Sequence, residues 1–226
     1  LDVSHTSVAS LKRLFSAGSG SVPIETLQLT TFYASQSQLR GSLNEWLSDT
    51  STLLERVSLD HNGLTGTLPN SLGNLHKLKY WNIADNDITG SIPDTVNQLS
   101  KIRYFLMESN RLTGKIPTGL TNDEYTPLLE QLDLSSQGGL TGTLPAFATQ
   151  KFLRRIDLGE NSLTGTIPST LLVSADMEDF DFIILRSNQL QGSIPPELLQ
   201  RIPVDSLLIE DNRISSVSSC PFDWEY

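Results

Sequence analysis

The chain has 226 residues, of which 16 are Lys or Arg and 26 are Asp or Glu, for a formal net charge of −10. The acidic balance, with basic residues scattered along the chain, argues against a nucleic-acid or anionic-membrane surface, because phosphate contacts need clustered Lys and Arg. No apolar run approaches the ~18 residues of a membrane span, and a single cysteine, Cys220, excludes a disulfide within the chain.

The first segment, Leu1-Asp2-Val3-Ser4-His5-Thr6, has a strand-and-turn shape. Leu11, Leu14 and Phe15 follow at helical spacing, and Gly18 is placed to stop that helix. The next stretch reads in two registers. In one, Leu27 and Leu29 are the inward pair of a strand and a five-residue bulge precedes Leu39. In the other, Phe32 and Ala34 are that pair and no bulge is needed. The first matches the strand pattern of the later coils better and is preferred.

From residue 54 onward one phrase returns: an alternating apolar pair, a turn Asn, then Leu-Thr-Gly-x-Leu/Ile-Pro. It is clearest at Asn62 to Pro69, Asn86 to Pro93, Asn110 to Pro117 and Asn161 to Pro168. Asn188 to Pro195 carries one polar swap, and Leu134 to Pro145 is a looser copy with Gln137 in the Asn position. The glycines at 41, 66, 90, 114, 142, 165 and 192 recur about every 24 residues, the signature of a solenoid rather than of a body with one central core.

Each coil reads alike. Val57-x-Leu59 alternates as a half-buried strand. Asn62 can satisfy backbone groups at the bend, since its amide both donates and accepts. Leu64, Leu68, Leu72 and Leu75 point into the interior, Gly66 permits a tight turn and Pro69 fixes a corner. The pairs continue as Trp81/Ile83, Phe105/Met107, Leu132/Leu134, Ile156/Leu158, Ile183/Leu185 and Leu207/Ile209. The turn amides are expected to stack into a buried ladder. Extra residues before Leu132 and before Ile183 are expected to bulge on the far side, as loops that tolerate changes of length.

The residues beside and between the inward pairs form three stripes on the outer sheet face. One runs Arg56, Tyr80, Tyr104, Gln131, Arg155, Phe182, Ser206. The second runs Ser58, Asn82, Leu106, Asp133, Asp157, Ile184, Leu208. The third runs Asp60, Ala84, Glu108, Ser135, Gly159, Arg186, Glu210. Tyr80, Tyr104 and Leu106 make one apolar patch; Phe182, Ile184 and Leu208 make another. Grouped exposed apolar residues mark contact sites. Between the patches lie Asp133 and Asp157, close enough for one carboxyl pKa to rise unless Arg155 offsets it. A Ca²⁺ ion would need about six oxygen ligands, more than carboxylates on a flat sheet supply, so no metal or other cofactor is expected. His61 beside Asp60 reads as a solvated surface pair rather than a catalytic dyad.

The Leu64-Thr65-Gly66-Thr67-Leu68-Pro69 and Ile88-Thr89-Gly90-Ser91-Ile92-Pro93 segments, with their later copies, resemble the plant-type leucine-rich repeat over residues 24 to 215. That resemblance implies an α/β repeat solenoid: a right-handed curved superhelix with a parallel sheet on its concave face, short helices and turns on the convex face, and a second strand row at the flank. Members include receptor-kinase ectodomains and inhibitors of polysaccharide-degrading enzymes, which implies an extracellular or cell-surface location. The cysteine pairs that cap many such arrays are absent, so residues 1–226 read as one repeat domain cut from a longer protein. Its parts are a divergent first repeat at 1–23, about eight repeats at 24–215 and an incomplete end at 216–226. Cys220 is then either a small buried residue or half of a disulfide whose partner lies elsewhere. None of the asparagines stands in Asn-x-Ser/Thr, so N-glycosylation of this stretch is not expected.

The reading is a non-catalytic module that binds a protein or peptide, with a basic partner favoured and no nucleic acid. Its contact residues are Tyr80, Tyr104, Leu106, Asp133, Arg155, Asp157, Phe182, Ile184 and Arg186. A structural or adhesive segment touching neighbouring chains in an assembly is the alternative, and a polysaccharide-active enzyme a weaker one.

Overall fold

A computed structural model describes residues 29–43, 53–175 and 180–217. The first-repeat helix near Leu11, the second acidic insertion around Asp179 and Cys220 fall outside those residues. Strands alternate between two rows. In chain order they are β1 (Thr31–Tyr33), β2 (Arg40–Ser42), β3 (Arg56–Ser58), β4 (Gly63–Thr65), β5 (Tyr80–Asn82), β6 (Thr89–Ser91), β7 (Tyr104–Leu106), β8 (Arg111–Lys115), β9 (Gln131–Asp133), β10 (Gly139–Thr141), β11 (Arg155–Asp157), β12 (Thr164–Gly165), β13 (Phe182–Ile184), β14 (Gln189–Ile194), β15 (Leu207–Leu208) and β16 (Arg213–Val217). The odd-numbered strands form one eight-stranded parallel sheet in strict sequence order. The even-numbered strands pair in parallel along the flank.

Every coil therefore pairs with the coil before and after it, and the core is one continuous column. Leu59, Trp81, Ile83, Phe105, Met107, Leu132, Leu134, Ile156, Leu158, Ile183 and Leu185 all lie buried in it. The far wall is built from short 3-10 turns such as Asn70–Asn74 and Asp94–Gln98, each entered from a proline whose φ suits the corner. One short α-helix, α1 (Pro196–Leu199), leads from β14 toward β15.

The turn amides do form a ladder. Asn110 Nδ2 donates to the carbonyls of Ile83 (3.0 Å), Met107 (3.1 Å) and Glu108 (3.3 Å), while its Oδ1 accepts from Ile88 N–H (3.0 Å). Asn62, Asn86, Asn188 and Asn212 repeat the pattern, and Gln137 follows it by reaching Met107 O and Leu112 N–H. The ladder has one gap. Asn161 Oδ1 is buried and accepts nothing.

The preferred register for the first described coil is overturned. Phe32 and Ala34 are the inward pair, at 7% and 0% exposure, and β1 pairs Phe32 with Val57. Ser37 holds the turn position; Asn62 Oδ1 accepts from Ser37 N–H and Leu39 N–H, and its Nδ2 donates to Ala34 O. The bulge-free register lets Asn62 satisfy three backbone groups at once, and it builds β1 from Thr31, Phe32 and Tyr33, residue types that favour strands.

The Thr-Gly pair of the repeat also has a physical reading. Thr65, Thr89, Thr141 and Thr164 each donate a hydroxyl hydrogen bond to a glycine carbonyl of the preceding coil, at 3.0–3.3 Å. Gly66 has φ of 87°, which L side chains rarely adopt, and a Cβ there would stand 2.5 Å from Ser42 Oγ and force the serine hydroxyl to turn away, so glycine is the residue that fits this close approach between coils. The insertion before β9 is more than slack: Gln150 Nε2 donates to Leu120 O and Thr126 Oγ1, and Thr126 Oγ1 donates to Gly119 O, pinning the loop from beneath.

A second column carries strain. His61, Asp85, Ser109, Ser136, Glu160, Ser187 and Asp211, each just before the turn amide, have φ between 52° and 56°. L side chains adopt this left-handed conformation at a cost of about 1 kcal/mol. Ser109→Gly is expected to raise stability by about 0.5–1 kcal/mol, read as a higher thermal midpoint, since no side-chain hydrogen bond is lost there.

Candidate partner-binding face

Strand alternation turns the residues flanking each inward side chain to the outer face of the eight-stranded sheet. β5, β7, β9, β11 and β13 pair in exact register. Tyr80 therefore stands beside Tyr104, Leu106 beside Asp133, Asp133 beside Asp157, and Asp157 beside Ile184. All nine residues singled out from the sequence lie on this face: eight belong to the consecutive strands β5, β7, β9, β11 and β13, and Arg186 lies two residues beyond the end of β13.

At one side of the acidic pair the Tyr80 and Tyr104 rings lie 5.9 Å apart, tilted at 47°, and the Arg56 guanidinium sits 5.9 Å over the Tyr80 ring. Tyr104 OH donates to Glu130 Oε2 at 2.7 Å. That bond holds the phenol protonated and raises its pKa; partial burial and the Glu130 charge add to the rise. Glu130 also takes an ion pair from Arg103, so the ring is fixed rather than free to swing. On the other side Phe182 is 40% exposed, the most open large apolar side chain of the face, and Ile184 packs beside it.

Asp133 and Asp157 are each only 8% exposed, although they point outward. Their neighbours wall them in. Asp133 Oδ1 accepts from Ser135 N–H (3.1 Å) and Ser135 Oγ–H (2.8 Å), and Asp157 Oδ1 accepts from Gly159 N–H (3.0 Å). Both carboxyl pKa values are nonetheless raised. Desolvation is the main cause for each, and the Asp133 charge adds to it at Asp157; Arg155 works in the opposite direction on both. The offset expected from Arg155 is therefore present but does not win. Its Nε is itself buried without a hydrogen-bond partner. Arg186 also lowers the Asp157 pKa, while its guanidinium stands 3.7 Å from Glu160.

Glu108 was not among the residues chosen from the sequence, yet it completes the acidic centre. Its pKa is pushed up to about 7, first by burial, then by Asp133, with smaller contributions from Asp85 and Asp60. Its Oε2 is buried with no hydrogen-bond partner. The signal was available in the stripes, where Glu108 lies one strand from Asp133. Its burial was not, because that depends on which neighbours lean over it. Asp60 is held differently: Ser35 Oγ and Ser58 Oγ both donate to its Oδ1, at 2.7 and 2.6 Å. His61 pairs with Asp85 at 3.2 Å, one coil along, and not with Asp60; both groups are well exposed.

Among the described residues no group of three His, Cys, Asp or Glu is placed to hold a metal ion, and no helix is long and apolar enough to cross a membrane. An open groove lined by Gln36, Gln38, Arg40, His61, Thr65 and Asp87 lies at the flank, away from this face.

A leucine-rich-repeat family model matches residues 52–112, and a second matches 152–172. No curated protein matches the sequence. Among solved structures the chain is similar to the receptor in the PEPR1–AtPEP1 complex, with 27% identity and a TM-score of 0.73 over 85% of this chain and 27% of that one. It is similar to the ectodomain of the Arabidopsis receptor kinase HAESA bound to an extended IDA peptide hormone, with 26% identity and a TM-score of 0.72 over 85% and 32%. A plant ice-binding protein shares the fold at 21% identity and a TM-score of 0.62, over 84% of this chain and 67% of that one. The chain thus spans roughly a quarter to a third of the length of the two receptor ectodomains.

Proposed function

Because this chain belongs to the plant-type leucine-rich repeat family, we propose that it is a non-catalytic recognition module. It displays the outer, concave face of its sheet to a peptide or protein segment bearing a basic side chain, at the cell surface or outside the cell. The observation that carries this reading is the acidic centre. Glu108, Asp133 and Asp157 are held partly or largely out of water on a rigid sheet, between an aromatic patch and an aliphatic one. Desolvated carboxylates gain most from a cation brought to them in a low-dielectric contact, and flanking apolar groups supply the burial that makes the contact last.

The similarity to receptors solved with peptide ligands supports the reading, since PEPR1 was captured with AtPEP1 and HAESA with IDA. A hydrolytic role fits less well. Glycosidases set two carboxyls on opposite sides of a scissile bond, whereas Asp133 and Asp157 stand side by side on neighbouring strands of one face. Display on a stiff scaffold also suits a low entropic cost of binding, because the side chains are fixed in advance.

The test is a double substitution, Asp133→Asn with Asp157→Asn, which keeps size and hydrogen-bonding capacity while removing charge. Affinity for basic peptides selected on the chain is expected to fall at least tenfold by calorimetry or surface binding. The thermal midpoint should hold or rise, since both carboxylates carry a desolvation cost. Undiminished affinity for every such peptide in the folded double variant overturns the proposal.

A further inference from the structure

We propose that the face selects peptides by spacing: an extended ligand crossing the strands, with an apolar residue, then Lys or Arg two positions on, then a second apolar residue two positions after that. The inference rests on the concave face being the contact surface and adds which ligand sequence it takes.

The argument is one of matching periods. The middle stripe places Leu106, Asp133, Asp157 and Ile184 on consecutive strands in register. Parallel strands lie ~4.8 Å apart, so Leu106 and Ile184 are separated by three spacings, about 14 Å. An extended peptide rises ~3.4 Å per residue and turns alternate side chains to the same side. Four residues therefore cover about 14 Å, and residues i, i+2 and i+4 all face the sheet. With residue i on the Tyr104 and Leu106 surface, residue i+4 lands on Phe182 and Ile184. Residue i+2 then falls midway, over the gap between Asp133 and Asp157. An odd spacing would turn either the basic or one apolar side chain to solvent.

The charges at the midpoint agree with a cation there. Asp133 and Asp157 have one oxygen each tied by Ser135 and Gly159 donors. Glu108 offers an oxygen that nothing in the chain satisfies. Arg155 and Arg186 both act on Asp157, but Arg186 is shared with Glu160, so two cations face four carboxylates and the centre keeps an acidic surplus. An acidic residue at i+2 would meet that surplus directly.

A displayed pool of random linear peptides, selected on the intact chain, tests this. Enriched sequences are expected to carry apolar, any, Lys or Arg, any, apolar. A peptide with the core Leu-Ser-Lys-Ser-Leu should bind about tenfold more tightly than its isomer Leu-Lys-Ser-Ser-Leu or the form with Glu in place of Lys. The face itself is checked with Leu106→Lys and Phe182→Ser, the second at an exposed position where folding is not at risk. Peptides that lose binding to both variants but show no preference for the spacing overturn the inference and leave the face standing. Peptides indifferent to both variants, or no enrichment at all, overturn the inference and the proposed face together.

Discussion

Asn110→Ala is expected to lower stability by about 3 kcal/mol, and the thermal midpoint by roughly 6–12 °C for a chain of this size. The change removes the donor for the carbonyls of Ile83, Met107 and Glu108 and the acceptor for Ile88 N–H, in a turn where Asn110 is 6% exposed. Water cannot replace them without opening the coil. The effect should also spread, because each coil is stable only through its neighbours. Asn161→Ala is the internal comparison. Asn161 donates to Leu134, Leu158 and Gly159 carbonyls, but its oxygen accepts nothing. Its loss should cost measurably less. Equal midpoints for the two variants in parallel thermal melts, or no fall for Asn110→Ala, would mean that the amide ladder does not hold the coils.

Glu108→Gln is expected to flatten the pH dependence of stability by about 2 kcal/mol, after allowing for the water that reaches this open face. The carboxyl titrates at 4.5 when unperturbed and at about 7 in the folded chain. Between those values the folded state keeps a proton that the unfolded state has released. Raising the pH through that window therefore costs stability: the contribution is complete below the unfolded value and is gone once the pH passes the folded one. Asp133 and Asp157, also raised, act in the same sense. The wild-type chain should melt higher at about pH 5 than at about pH 8, and the Gln variant should lose part of that difference through a higher midpoint at the alkaline end. A difference that the variant leaves intact would show that Glu108 is ordinarily solvated. A cation bound beside Glu108 favours its ionised form, so basic peptides should bind more tightly as the pH rises from about 6 to about 8.

The repeat and its chemistry were legible in the residue order because a solenoid is governed by neighbours. Asn62, Asn86 and Asn110 recur where the chain bends, and each bend needs the same amide. Gly66 and Gly90 recur where one coil touches the next. Val57/Leu59 and Trp81/Ile83 alternate because one side of each strand faces the core. From that periodicity the three outer stripes followed directly, and the register of β5 through β13 places the chosen side chains together as those stripes require. Local rules suffice for all of this, since every contact repeats at a fixed step along the chain.

What the residue order left open was decided between coils. Leu27 and Leu29 fit the alternation of the later strands, yet Asn62 of the following coil selects the register of Phe32 and Ala34 through its hydrogen bonds. Asn161 looks like every other turn amide, but its Oδ1 is left without a donor in the folded chain. Glu108 looks like an ordinary exposed acid, and only the packing of its neighbours over the sheet pushes its proton affinity to near neutrality. Periodicity assigns each side chain a direction; how much water it keeps depends on the size and lean of side chains some two dozen residues away, which no local pattern records.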